Sequence, residues 1–308
     1  MNTNPLVTVI TVVRNAEKTI QRTLVSALNQ KNVNMEVIVW DGLSTDNTLS
    51  EIGKYKGQYK LISKKDSGVY DAMNQALKIA SGEWVLFLNA DDYFCSENSL
   101  SSLLGAIETP DTDYVCGYAK MLFGLKNWKP KTLTDVDYFL GNPANHQSYL
   151  CKKNIYDKLG GFNLNYKYAA DVEFMYRVIQ NGYKGLRVLK PIVHYSLGGL
   201  STKNLSTGVA ELDKIRSVFL NSDVDFARKC RLIFVDGLEF TEDFKNEILV
   251  REWSKTQREF LEIFFRDNQS IESSSTFHLF KKRLILFIEN CLKKFVFIIL
   301  KFIPTRYI

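Results

Sequence analysis

Within the first ninety residues, apolar runs repeatedly stop at a polar turn and helical spacing takes over. Residues 6–13 (LVTVITVV) are a continuous β-branched run of the kind buried in a parallel sheet, and they end at Arg14-Asn15. Ile20, Leu24, Ala27 and Leu28 then recur at helical spacing. Residues 36–40 (EVIVW) predict a second strand ending at Asp41-Gly42, and residues 60–62 a third. Residues 83–88 (EWVLFL) predict a fourth, ending at Asn89-Ala90-Asp91-Asp92. Helices are expected over 46–52 and 69–80, the second stopped by Ser81-Gly82. Strands alternating with helices imply βαβ units and an α/β fold with a mostly parallel central sheet. Ligands of such sheets bind at the carboxyl ends of the strands, so the polar strand ends should converge on one crevice. Each of them alone also reads as a turn residue or helix cap.

Beyond residue 109 the pattern is irregular as far as 140, with a hairpin expected near Phe123-Gly124. Residues 152–159 predict a short helix closed by Gly160-Gly161. Asp171 then opens a strong amphipathic helix, and residues 186–197 read as extended up to Gly198-Gly199. Two or three helices without a site signal follow, to about residue 266.

Charge is unevenly placed. The 308 residues hold 40 Lys and Arg against 34 Asp and Glu, a net +6. Beyond Phe277 seven basic residues face Glu289 alone, which accounts for the whole excess and leaves the rest of the chain balanced. The basicity therefore describes a tail, and no nucleic-acid-binding core is expected. That tail interleaves Lys281, Lys282, Arg283, Lys293, Lys294, Lys301 and Arg306 with Phe, Ile and Leu. Such a basic amphipathic helix suits an anionic membrane surface; it equally suits packing on the domain or on a second subunit. No run of 18 uncharged apolar residues is present, and the first residues lack a signal-peptide pattern. The five cysteines are scattered without a Cys-x-x-Cys pair. Together these features predict a cytoplasmic protein, peripheral on the inner face of the cell membrane.

The Asp91-Asp92 pair at a strand end, with no His or Cys beside it in sequence, suits a hard divalent cation bound through oxygen. Mn²⁺ or Mg²⁺ in that place would be completed by substrate phosphates. Neither a P-loop nor Gly-x-Gly-x-x-Gly follows the first strand.

Eight segments in order sharpen this picture: VITVVRNAEKTI, VIVWDGLSTDNT, DSGVYDAMNQAL, GEWVLFLNADD, HQSYL, GGF, ADVEFMYRV and LGGLS. Together they resemble the inverting glycosyltransferases of family 2, with the GT-A fold, over roughly residues 6–201. The nearer likeness is to the bacterial branch that builds colanic acid, O-antigen or capsule repeat units. The resemblance implies a donor half over 1–108 and an acceptor half over 109–205, and the sequence pattern adds a C-terminal helical extension over 206–275 and the basic amphipathic tail over 276–308.

It implies roles as well. Val12, Arg14 and Asn15 would lie at the nucleotide base and Asp41 would bind it. Asp66, Asp71 and Asn74 would flank the ribose and diphosphate. Asn89-Ala90-Asp91 matches the family's Asp-x-Asp element, with Asp91 on the metal, Asn89 near the ribose, and Asp92 and His194 as further metal candidates. His146 and Gln147 would line the acceptor half, and Gly198, Gly199 and Ser201 a closing loop. Asp171 would be the base that takes the acceptor proton. The donor would be UDP-, GDP- or dTDP-linked and the acceptor a saccharide on a polyprenyl diphosphate. Two other readings remain open, a sugar-nucleotide nucleotidyltransferase and a catalytically silent assembly partner. The first would want a glycine-rich loop where Arg14-Asn15-Ala16-Glu17 stands.

Overall fold

The computed structural model describes residues 6–121, 127–129, 133–196 and 204–269. The chain divides into two compact units, Met1–Glu239 and Phe240–Ile308. The expected Phe123-Gly124 hairpin tip, Gly198, Gly199, Ser201 and the basic tail lie outside the described residues.

In the first unit, β1 (Val7–Val13), α1 (Ile20–Leu28), β2 (Met35–Asp41), α2 (Thr48–Gly53), β3 (Lys60–Ser63), α3 (Val69–Leu77) and β4 (Trp84–Phe87) follow the expected alternation. Side chains alternate across β1: Val7 and Val9 enter one apolar layer with Ile20 and Leu24 of α1. Ile10 and Val12 enter the opposite layer with Tyr70, Met73 and Ala76 of α3. A strand buried on both faces is filled by β-branched residues throughout, with Thr8 and Thr11 fully buried among the Val and Ile, so the run is unbroken.

The strand order is β3-β2-β1-β4-β8-β6-β9-β5, with β7 (Asn127–Trp128) off this path on β6. The first four strands are parallel, and Val13, Asp41 and Ser63 lie in register at their carboxyl ends. Beyond β4 the sheet is mixed. β8 (Tyr149–Lys152) runs antiparallel to β4 and β6, β6 (Tyr114–Met121) is parallel to β9 (Gly185–Tyr195), and β5 (Tyr93–Phe94) closes the far edge.

β6 is the strand that the sequence pattern hid. Its Gly117 passes so close to β9 that an added Cβ would stand 2.2 Å from Ile192 Cγ1, and the pairing shifts register there. A bulge with a glycine at its centre breaks the alternation that marks a strand.

The remaining helices of this unit are α4 (Ser99–Leu104), α5 (Asp137–Leu140), α6 (Lys153–Leu159), α7 (Ala170–Gln180), α8 (Leu205–Phe219) and α9 (Val224–Cys230). The second unit holds α10 (Glu242–Leu249) and α11 (Lys255–Gln269), where Phe240 packs on the rings of Phe244, Phe264 and Phe265. Among the described residues, no helix is long and apolar enough to cross a membrane.

Candidate active site

The ends of β1 and β2 form one corner of the crevice. Asp41 is fully buried, and its carboxylate accepts from the Ser44 backbone N–H at 3.1 Å and from Ser63 Oγ at 2.6 Å. Asn15, with φ of 53°, binds the same loop: its N–H donates to Ser44 Oγ and its side-chain oxygen accepts from Thr45 N. Asn tolerates this left-handed backbone better than most residues, so Asn15 serves both the turn and the tie. Asp66 caps Gly68 at 3.1 Å, and its other oxygen sits 2.6 Å from where a Cβ on Gly42 would stand. Gly42 is thus the residue that leaves room for the Asp66 carboxylate. Arg14 is exposed beside them, and Val12 is buried in the apolar layer below.

Asp71 and Asn74 are occupied locally. Asp71 accepts from Ser67 N at 2.8 Å and Ser67 Oγ at 3.0 Å, closing the entry to α3. Asn74 donates to Phe162 O at 2.8 Å and accepts from Phe162 N at 2.9 Å. Gly161, at φ of 69°, leaves room for that amide, because a Cβ there would meet Asn74 Oδ1 at 2.5 Å. The Gly160-Gly161-Phe162 motif and Asn74 are therefore two halves of one staple between α3 and the α6 turn.

The second corner joins residues far apart in sequence. Antiparallel pairing of β4 with β8 carries the preceding 3₁₀ turn, His146–Ser148, up to the carboxyl end of β4. There His146 Nε2 lies 3.2 Å from Asn89 Nδ2, and its Nδ1 lies 2.8 Å from Asp171 Oδ2. Tyr70 OH donates to the other Asp171 oxygen at 2.7 Å. Asn89, His146, Asp171 and Tyr70 form one continuous chain from the donor-side strand to the start of α7. Asp171 and His146 keep side-chain exposures of 15% and 18%, so both remain reachable from the crevice.

Asp171 is held ionised. Burial alone would raise its pKa, but the His146 imidazole beside it outweighs that, by its charge when protonated and by its hydrogen bond. The Tyr70 hydroxyl and the Val172 N–H add to the effect, and the net shift is downward. Its place in the first turn of α7 also sets it against the positive end of the helix dipole. Tyr70 is pushed well above the usual phenol range by burial and by the Asp171 charge, so it stays a donor.

Asp92 turns inward. It is 1% exposed, and it accepts from Gln147 Nε2 at 2.7 Å and from Ser196 N at 2.7 Å. Burial, then the neighbouring Asp91 charge, pushes its pKa up to about 7. The structure thus makes Asp92 an anchor for Gln147 and for the residue leading into the Gly198-Gly199 segment. His194 pairs across the strands with Tyr93 and stacks on its ring at 4.6 Å. Burial, then Lys120 and Arg22, lowers its pKa.

Asp91, half-buried, lies just beyond the carboxyl end of β4, beside the Asp92 carboxylate. Arg22 fixes its backbone: the guanidinium donates to Asp91 O at 2.9 Å and to Ser196 Oγ at 3.2 Å, while lying over the Tyr93 ring. Hard divalent cations take one or two carboxylates and complete their shell with water and phosphate, so a single oxygen site at Asp91 fits Mg²⁺ or Mn²⁺. Among the described residues no cluster of three or more His, Cys, Asp or Glu side chains is set to hold a metal by itself.

Three contributors carried little sequence signal. Tyr70 and Arg22 read as ordinary helix residues. Glu211, on α8, accepts from three successive backbone N–H groups, those of Lys167, Tyr168 and Ala169, at 2.7–3.1 Å. It fixes the loop that delivers Asp171, and nothing near Glu211 in sequence announces the partnership.

With this geometry in view, comparison with known proteins decides the family. The model described as "Glycosyl transferase family 2" matches residues 8–171, from β1 to Asp171 itself. The chain belongs to glycosyltransferase family 2. Among family relatives, a Mycobacterium tuberculosis (strain ATCC 25177 / H37Ra) "PGL/p-HBAD biosynthesis glycosyltransferase" is 29% identical over 64% of this chain and 79% of its own length. The Escherichia coli "UDP-Glc:alpha-D-GlcNAc-diphosphoundecaprenol beta-1,3-glucosyltransferase WfaP" is 26% identical over 69% of this chain and 86% of its own. Solved structures agree on the α/β GT-A fold. S. aureus TarS 1-349 in complex with UDP-GlcNAc superposes with a TM-score of 0.60 at 22% identity, over 74% of this chain and 73% of that one. Mannosyltransferase PcManGT from Pyrobaculum calidifontis, in complex with GDP-Man and Mn²⁺, gives 0.53 at 21%, over 74% and 65%.

Proposed function

We propose that this family 2 glycosyltransferase moves a sugar from a nucleoside-diphosphate donor to a hydroxyl of a lipid-diphosphate-linked saccharide, with inversion, in the assembly of a bacterial surface polysaccharide or glycolipid. The observation that carries the proposal is the Asp171 carboxylate, joined through His146 to the strand end that bears Asn89 and Asp91. Inversion requires a base on the acceptor side, opposite the leaving diphosphate. Asp171 removes the proton from the acceptor hydroxyl as that oxygen attacks the anomeric carbon, and the bond to the diphosphate oxygen breaks. Asp41, Asn15 and Asp66 form the corner suited to the nucleoside, with the buried Asp41 carboxylate ordering Ser44 and Ser63 beneath it. A divalent ion at Asp91, when bound, would neutralise charge developing on the leaving diphosphate. Support for a uridine donor comes from the printed substrate of the glucosyltransferase relative and the ligand of the TarS structure. The relative's diphosphoundecaprenol substrate supports the acceptor class, and the Mn²⁺ of the mannosyltransferase structure supports the ion. The seven Lys and Arg of the tail, against Glu289 alone, support a position on the anionic cytoplasmic face of the membrane, where such acceptors are embedded.

The test incubates the full chain with UDP-glucose, UDP-GlcNAc or GDP-mannose, Mn²⁺ and GlcNAc-diphosphoundecaprenol, and follows nucleoside diphosphate release and product linkage. Asp171→Asn is expected to lower turnover 10²–10⁴-fold, the usual weight of a general base, with donor binding retained. Transfer by folded Asp171→Asn at the wild-type rate, or a retained anomeric configuration, overturns the proposal.

A further inference from the structure

Asn89 stands where the Asp-x-Asp element begins with a carboxylate, and its environment gives that exchange a purpose. Its amide nitrogen faces His146 Nε2 at 3.2 Å, and His146 Nδ1 faces Asp171 Oδ2 at 2.8 Å. An ionised carboxylate can only accept, so Nδ1 carries a proton; an amide nitrogen can only donate, so Nε2 presents its lone pair. Both requirements agree on one species, the neutral imidazole protonated at Nδ1. A carboxylate at position 89 would demand a proton on Nε2 as well. The imidazole would then be a cation clamped between two carboxylates, and it would hold Asp171 more tightly and make it a poorer base.

We propose that Asn89 and His146 are paired positioning residues for Asp171: the amide fixes the imidazole tautomer, and the tautomer delivers a single neutral N–H to Oδ2. Tyr70 holds the other oxygen, so the carboxylate is oriented from both sides without being neutralised. The inference rests on Asp171 being the base. It assigns Asn89 to the acceptor-side chemistry, where the family pattern would place it near the ribose.

The chain has three histidines, so ¹⁵N-histidine labelling of the full-length protein gives a spectrum that one variant assigns. In the wild type at pH 7.5 the His146 signal is expected to show a protonated Nδ1 and an unprotonated Nε2. In Asn89→Asp both nitrogens should be protonated. In the donor and acceptor assay, Asn89→Asp should lower kcat at least tenfold with donor KM within threefold. His146→Ala should lose about 100-fold in kcat, and His146→Asn, whose amide N–H can replace Nδ1–H, should recover at least tenfold of that. Melting temperatures of all variants check folding. A wild-type His146 protonated at Nε2, or an Asn89→Asp protein with an unchanged tautomer, overturns the pairing whatever the activity. So does a loss seen in donor KM alone, which would return Asn89 to the donor pocket. If the tautomers are as expected but Asp171→Asn still transfers, it is the base assignment that fails.

Discussion

At the scale of single residues, the crevice is governed by carboxylates that differ in what surrounds them. Asp171 is only partly exposed yet held ionised because two donors meet its two oxygens, and that arrangement can be tested one donor at a time. Tyr70→Phe removes the hydroxyl at 2.7 Å and leaves the ring in its apolar layer. A hydrogen bond to a charged group is worth about 1.5–3 kcal/mol, and its loss moves the Asp171 pKa upward. The base must be ionised to act, so the acid limb of the kcat/KM profile should shift to higher pH in Tyr70→Phe. The loss should therefore be largest at low pH and shrink toward pH 8. A pH–rate profile superimposable on wild type would show that the hydroxyl does not govern the base.

Glu36 is a second case, remote from the crevice. It accepts from Thr8 Oγ1, Ser81 N and Ser81 Oγ at 2.6–2.7 Å and from Lys60 at 2.5 Å. Burial works to raise its pKa, but Lys60, Ser81 and Thr8 together bring it down from 4.5 to about 2. A depressed folded-state pKa stabilises fully above the unfolded value, and the contribution is lost as pH falls toward the folded one. Glu36→Gln should therefore cost about 1–3 kcal/mol at pH 7. Denaturant melts should show that gap narrowing steadily between pH 4.5 and pH 2, where wild-type Glu36 is itself being protonated.

At the scale of elements, what the sequence revealed follows from periodicity, and what it hid follows from long-range contact. β1, β2, β4 and α3 were legible because strands buried on both faces and an amphipathic helix leave unmistakable patterns. β6 was not, since Gly117 and the bulge beside it interrupt the alternation at the point where β9 comes closest. The site divides the same way. Asp41, Asn89, Asp91 and Asp171 could be picked out because strand ends and helix starts mark them. Tyr70, Arg22 and Glu211 act through partners 69 to 174 residues away or from another helix, and no local pattern encodes that. Asn74 and Asp92 were drawn to the ligand by their motifs, whereas the folded chain spends their polar atoms on Phe162, Gln147 and Ser196.

Two elements make quantitative tests. Gly117→Ala places a methyl 2.2 Å from Ile192 Cγ1 and 2.9 Å from the Lys190 carbonyl. Overpacking of this kind costs about 1–3 kcal/mol, so a clear drop in melting temperature is expected, checked by thermal unfolding. Glu211→Gln keeps the shape but gives up the charge that holds three N–H groups ahead of α7. It should lower kcat more than it lowers stability, because the loop it releases carries Asp171 into place. A variant that loses stability while turning over at the wild-type rate would show that the loop keeps its course without the carboxylate.

At the scale of the whole molecule, charge is segregated rather than spread. Residues 1–276 are balanced in charge, and the net +6 belongs to the residues after Phe277. A polyprenyl-linked acceptor confines its enzyme to a membrane surface, and each Lys or Arg near an anionic surface contributes about 1 kcal/mol. Changing Lys281, Lys282, Arg283, Lys293 and Lys294 to Gln leaves chain length and apolar residues unaltered but removes five of the seven tail cations. Binding of the full chain to vesicles containing phosphatidylglycerol should then weaken by at least tenfold, since every 1.4 kcal/mol is a factor of ten. Binding to purely zwitterionic vesicles should be weak for both proteins. Nucleoside diphosphate release with a water-soluble acceptor analogue should be unchanged, because the crevice is built from residues before 212. Equal binding of both proteins to anionic vesicles would exclude the tail's charge as the membrane contact and leave its apolar residues to pack on protein.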